Sequence, residues 1–148
     1  MNLFDSLSIS GSALLAERER SEVIAANMAN AQTTHTEAGG PFRRREVVFE
    51  ARGASAFRLA LASTGDFHGP TPGSVQISQV VDDPTPAVMR YEPGHPDANK
   101  QGYVAYPAIN PTAEMVDLMD SVRAYQLNAS AVAAAKQMIQ QAIGILKS

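Results

Sequence analysis

From Met115 to Leu146, apolar residues return at alternating spacings of three and four: Leu118, Val122, Tyr125, Ala129, Val132, Lys136, Ile139 and Ile143 fall between them. Nine of those ten positions are apolar or alanine, which sustains the heptad template over more than four repeats. Asn110-Pro111 opens the segment with an N-cap residue and a proline suited to the first helical position. Glu114, Asp117 and Asp120 stand near the start and Arg123, Lys136 and Lys147 later, as the helix dipole favours. About 36 helical residues at 1.5 Å each would run roughly 54 Å, far beyond the mean globular helix. A helix that long with a narrow apolar seam needs a partner helix.

The first thirty or so residues supply a candidate. Phe4, Leu7, Leu14, Ala25 and Met28 keep approximate heptad spacing, but Gly11, Arg18 and Ser21 fall on the same line. Alone, such a helix is marginal in water, and it is best explained as one that orders by packing against other chains. All 9 prolines and most of the 10 glycines lie from Gly39 to Pro111, so a loop-rich middle separates two helical ends.

Within the middle, Val47-Val48-Phe49 is a short apolar run, Phe57, Leu59 and Leu61 alternate with Arg58 and Ala60, and Val75, Ile77 and Val81 share one face. Turn residues separate these runs at Gly65-Asp66, Gly69 to Gly73 and Asp82 to Pro86. The expected fold class is α+β. Long N- and C-terminal helices form a coiled-coil-like pair with a small β-rich subdomain inserted between them. The expected boundaries are a helical segment over 1–33, a β-rich middle over 34–109 and a heptad helix over 110–148.

A formal net charge of −3 gives no electrostatic reason for a nucleic-acid or anionic-membrane partner. No run of about 18 apolar residues is long enough to cross a bilayer, and Met1 to Ser6 lacks the basic start and apolar core of a cleaved secretory signal. Absence of cysteine excludes disulfides, thiolate nucleophiles and cysteine metal sites. His35, His68 and His95 form no ligand-like pair, and His95 lies in the turn sequence Gly94-His95-Pro96-Asp97. Asp82 and Asp83 precede a proline and read as turn formers, while Asp117 and Asp120 lie one helical turn apart, where Asp120 can pair with Arg123. No nucleophile elbow, P-loop or dinucleotide fingerprint is present, so no catalytic residue, cofactor or metal is expected. Arg43-Arg44-Arg45 is followed at once by Glu46 and by strand formers, which favours a solvated face or an inter-subunit ion-pair site over nucleic-acid binding. Asn27, Asn30 and Asn128 interrupt alanine-rich helical segments, where asparagine is costly. They read either as exposed polar surface (a helix end for Asn30) or as buried residues that fix register between packed helices.

The stretch Ile24-Ala25-Ala26-Asn27-Met28-Ala29-Asn30-Ala31-Gln32-Thr33 resembles the Asn-x-Ala-Asn-x-x-Thr signature of the rod and hook proteins of the bacterial flagellum. Ser121-Val122-Arg123-Ala124-Tyr125-Gln126-Leu127-Asn128 is similar to that family's C-terminal Arg-Ala-Tyr-Gln-x-Asn element. Pro41 to Phe49 and Tyr91 to Asn99, running on to Gly102-Tyr103-Val104, narrow the likeness to the proximal-rod type. The resemblance spans essentially the whole chain, with Ala108 and Met28 as small departures.

The resemblance implies a structural subunit, not an enzyme, exported from the cytoplasm without a cleaved signal and assembled helically in the periplasmic rod of the basal body. Its terminal helices would form the inner layer and transmit torque from the membrane ring to the distal rod and hook. Implied partners are further copies, other rod proteins, the rod–ring junction protein and the membrane-ring protein, with no nucleic acid and no membrane insertion. Expected subunit-packing residues are Asn27, Asn30, Met115, Leu118, Val122, Arg123, Tyr125, Asn128, Val132, Ile139 and Ile143. The alternative is a soluble coiled-coil adaptor that binds one partner helix.

Overall fold

A computed structural model describes residues 3–52 and 73–147. Along the chain two long helices flank a small β region: α1 spans Leu3–Ala29 and α2 spans Pro111–Lys147. Between them lie β1 (Arg45–Arg52), β2 (Ser74–Asp82), β3 (Val88–Tyr91) and β4 (Tyr103–Tyr106). The chain is α+β, as the helical ends and the apolar runs of the middle together imply. The apolar runs at Val47 to Phe49 and Val75 to Val81 fall in β1 and β2. The alternation at Phe57, Leu59 and Leu61 lies outside the described residues. Among the described residues the β region holds two two-stranded sheets, β1–β2 and β3–β4. The second was not legible as strands, because all four β3 residues are exposed and carry no alternation of burial.

By contacts the chain forms two compact units. One gathers Met1–Glu19, Phe49–Ser78 and Ser121–Ser148; the other gathers Arg20–Val48 and Gln79–Asp120. In the first unit, Ser12 anchors the start of β2 to α1: its hydroxyl accepts a hydrogen bond from the Val75 N–H at 3.0 Å and donates to the Ile9 carbonyl at 2.8 Å. In the second, α1 ends in a run of tight turns. Asn30 donates its amide to the Ala26 carbonyl and accepts from the Thr33 hydroxyl, while Phe42 N–H returns to the Thr33 carbonyl. At the other end of this unit Asn110 caps α2 as expected, its Oδ1 accepting from the Thr112 N–H at 3.0 Å.

The β3–β4 hairpin pairs Tyr91 with Tyr103 and Arg90 with Val104, whose side chain is fully buried. Its loop is ordered by Asn99, whose Oδ1 accepts from both the Gln101 and Tyr103 N–H groups, and by the Glu92 N–H bonded to the Gly102 carbonyl. Gly102 has a φ of 82°, and a Cβ there would stand 2.8 Å from the Tyr91 ring and 3.3 Å from Pro93. Gly102→Ala is therefore expected to cost about 2 kcal/mol, mostly in backbone strain because the exposed Tyr91 ring can swing aside. Gly94→Ala, where a Cβ meets nothing within 4 Å, should stay within about 0.5 kcal/mol of the parent. Denaturant unfolding of the two variants checks the contrast.

Candidate subunit-packing site

A buried polar cluster joins the last turns of α1, the start of β1 and the first turn of α2, all within the second unit. Asn27 and Glu114 are each only 1% exposed. The Asn27 amide serves the backbone of Arg45 on both sides: its Oδ1 accepts from the Arg45 N–H and its Nδ2 donates to the Arg45 carbonyl, each at 2.9 Å. In effect the side chain acts as one more rung beside β1. The same Nδ2 donates to Glu114 Oε2 at 3.1 Å, and Arg44 Nε donates to Glu114 Oε1 at 2.5 Å. Both carboxylate oxygens thus have donors, which a buried charge requires.

Arg44 is ringed by carboxylates. Besides Glu114 it meets Glu46, Asp117 at 3.6 Å and Asp83 at 3.9 Å. Burial works against its charge, but the hydrogen bond and charge of Glu114, with Glu46 behind them, outweigh it and raise its pKa above the ordinary arginine value. Of the basic triplet, then, Arg44 is paired with carboxylates of its own chain. Arg45 stays exposed, 3.7 Å from Asp82 and 5.6 Å above the Phe42 ring. Arg43 is exposed.

Asp83 behaves as the turn former its position before Pro84 suggests. Its Oδ1 accepts from the Thr85 hydroxyl at 2.5 Å and from the Thr85 N–H at 2.8 Å. These two bonds, with a smaller contribution from Arg44, hold its pKa below the ordinary 3.8. A depressed carboxylate pKa contributes stability above the ordinary aspartate range and loses it as pH falls through the depressed value. A carboxyl NMR titration should place the Asp83 midpoint below 3.8, and Thr85→Val should move it back toward that value. His95 likewise belongs to its turn, accepting from the Asp97 N–H at 3.1 Å while Asp97 accepts from the Thr34 hydroxyl.

Along α2 the chain does not bury the apolar heptad line. Met115 is 53% exposed, Ile143 47%, and Val122 and Tyr125 43% each. Leu118, Val132 and Ile139 are half-buried, and Arg123 is exposed beside Val122. The residues buried are Glu114, Ser121 and Ala135, with Asn128 half-buried on the same line, one position before the apolar one. In α1 the buried residues are Ser10, Ala16, Ile24 and Asn27; three of them stand one position before Gly11, Ala25 and Met28, and Ala16 stands two before Arg18. Each helix thus turns a mostly small or polar line inward and leaves an apolar line half in solvent. Asn128 does not point along that apolar line; it donates to the Ala124 carbonyl of its own helix at 2.9 Å. Asn27 was legible as an odd polar residue, but its partners were not, since Glu114 lies 87 residues away.

Residues 100–145 match the family model described as flagellar basal body rod FlgEFG protein C-terminal. Over nearly its full length the chain is similar to curated proteins named flagellar basal-body rod protein FlgC. It is 38% identical to that of Bacillus subtilis, covering 99% of this chain and 100% of the relative. It is 32% identical to that of Borreliella burgdorferi, covering 99% of each. The protein of Yersinia enterocolitica is 34% identical, over 94% of this chain and 92% of the relative.

Proposed function

The chain belongs to the FlgC family of flagellar basal-body rod proteins, and we propose that it builds the proximal rod by burying the apolar lines of its terminal helices against neighbouring subunits. It is a structural protein of the flagellar basal body and associates with other basal-body components. The observation that carries the finer reading is the half-exposed line Met115, Val122, Tyr125 and Ile143, beside a buried line of Glu114, Ser121 and Ala135. A lone chain gains nothing from a sustained apolar heptad left in water; a helical array gains the burial of each turn, as a coiled coil does.

In this reading Leu118, Val132 and Ile139 complete the packing line and Arg123 flanks it. Asn27 supports it by holding the backbone of Arg45, and Asn30 and Asn128 by bonding carbonyls of their own helices. Contacts between copies and with other rod proteins are heterologous, because head-to-tail surfaces propagate a helix where a self-complementary patch would close a dimer. The rod–ring junction and membrane-ring proteins meet the ends of the array. Torque passes through many such interfaces without any chemical step. Export proceeds without a cleaved signal, and helices that are marginal alone fold as they pack.

The test is mass spectrometry of detergent-purified flagellar basal bodies. The reading expects the chain in a few fixed copies after stringent washing, and expects its loss when residues 1–30 or 111–148 are removed. Its absence from basal bodies that retain other rod proteins would overturn the reading.

A further inference from the structure

We infer that the β3–β4 hairpin joins copies of this chain head to tail: the tyrosine pair at its tip, Tyr91 and Tyr103, seats in the proline-walled pocket at the base of the same hairpin on a second copy. The inference rests on the rod reading only for bringing copies side by side. Tip and pocket both lie within the second unit.

The strand register sets Met89 beside Ala105 and Tyr91 beside Tyr103, so these four share one face of the hairpin. That face stands in water: Tyr91 is 64% exposed, Met89 53% and Tyr103 42%. The two rings meet edge to face with centroids 5.3 Å apart, which makes them one knob of the kind that anchors interfaces. Arg90 turns to the opposite face, over the Tyr106 ring.

At the other end of the hairpin is a cavity of about 400 Å³, walled by Pro41, Pro84, Pro86 and Pro107 with Phe42 among them. Its size falls within the range of pockets that accept small organic groups. Ala87 and Pro107 line it and adjoin the Val88–Tyr106 pair, whereas the tyrosine pair stands three residue pairs further on, roughly 10 Å away. Proline fixes its own backbone, so the walls are preformed. Tyrosine has two side-chain torsions to immobilise, so little ordering opposes the docking.

Charge agrees with this fit. The tip carries Glu92 and Asp97 against Lys100. In the pocket Arg44 and Asp83 face each other at 3.9 Å, which leaves the exposed Arg43 as the lining charge for a neighbour's carboxylate. Knob and hole occupy opposite ends of one hairpin and differ in shape and charge. The contact is therefore heterologous and repeats from copy to copy, where a self-complementary tip would close a dimer.

A photo-crosslinking phenylalanine analogue in place of Tyr91 keeps the aromatic knob and reports what it touches in intact basal bodies. The expected product has twice the mass of the chain and joins position 91 of one copy to 39–44, 83–87 or 107–108 of another. Arg43→Glu in the same chain should lower the yield about fivefold, as loss of an exposed ion pair implies. Adducts joining position 91 to position 91 or 103 of a second copy would overturn the inference, because the tips would then meet each other. Adducts to a different basal-body protein alone, no adduct in assembled rods, or an unchanged yield with Arg43→Glu would overturn it as well. Absence of the parent chain from basal bodies contradicts the rod reading instead. The same crosslink in the purified chain at millimolar concentration then decides the contact, which stands with pocket adducts and falls without them.

Discussion

Glu114→Ala lowers the unfolding free energy by about 3 kcal/mol, among the largest losses a single substitution in this chain can cause. The carboxylate is 1% exposed and accepts from Arg44 and Asn27. Removing it leaves the Asn27 Nδ2 with one acceptor instead of two and leaves a partly buried guanidinium without its buried carboxylate partner. Breaking a fully buried pair costs about 3–5 kcal/mol. Arg44 keeps Glu46, Asp83 and Asp117 nearby, which places the expectation at the low end of that range. Asn27→Ala should cost a similar amount, about 2–3 kcal/mol, because it strands both the N–H and the carbonyl of Arg45. Since the two residues share a hydrogen bond, the double variant should lose less than the sum of the singles. Asp117→Ala is the internal control: at 3.6 Å from Arg44 and 40% exposed, it should cost no more than about 0.5 kcal/mol. Urea unfolding followed by circular dichroism reads all four, with the slope checked for constancy. A Glu114→Ala loss equal to that of Asp117→Ala would show that the cluster is not a point of support.

Val122→Asp behaves in the opposite way, sparing the free chain and abolishing assembly. Val122 is 43% exposed, so in the isolated subunit an aspartate remains solvated and stability changes by about 0.5 kcal/mol or less. In the rod the same carboxylate is taken out of water with no donor to receive it, which costs on the order of 3 kcal/mol per contact. That corresponds to roughly a hundredfold loss of affinity at each interface, repeated at every subunit. Ile143→Asp should act similarly. Gln126→Asp, also on the exposed surface of α2 but off the apolar line, should assemble at the parental level. Motility and the amount of chain in purified basal bodies measure the effect. Normal assembly of Val122→Asp would remove the line from the packing site.

Much of this was legible in the residues, and what was hidden has physical causes. Asn110-Pro111 announces α2 because capping is local chemistry, and the structure uses Asn110 as its cap. The heptads from Met115 to Leu146 announce a long helix. The residues that α2 buries stand one position before that line: Glu114 and Ser121 are polar, so a hydrophobic criterion passes over them, and Ala135 does not stand out in the run Ala133 to Ala135. Val88 to Tyr91 escaped notice as a strand: with every side chain exposed, the pattern of alternating burial on which strand reading depends is missing. The Asn27–Glu114 bond was illegible because it joins residues 87 apart, and no spacing rule reaches that far. Arg44 looked like part of a basic surface run; only the fold brings four carboxylates around it.

The central claim is that the half-exposed line of α2 is where one subunit meets the next. A photo-crosslinking residue placed singly at Val122, at Ile143 and at Gln126, with illumination of intact basal bodies, tests it most directly. The account predicts covalent adducts from Val122 and Ile143 to further copies or to other rod proteins, and none from Gln126. Adducts from Gln126 alone, in rods that assemble normally, would contradict it.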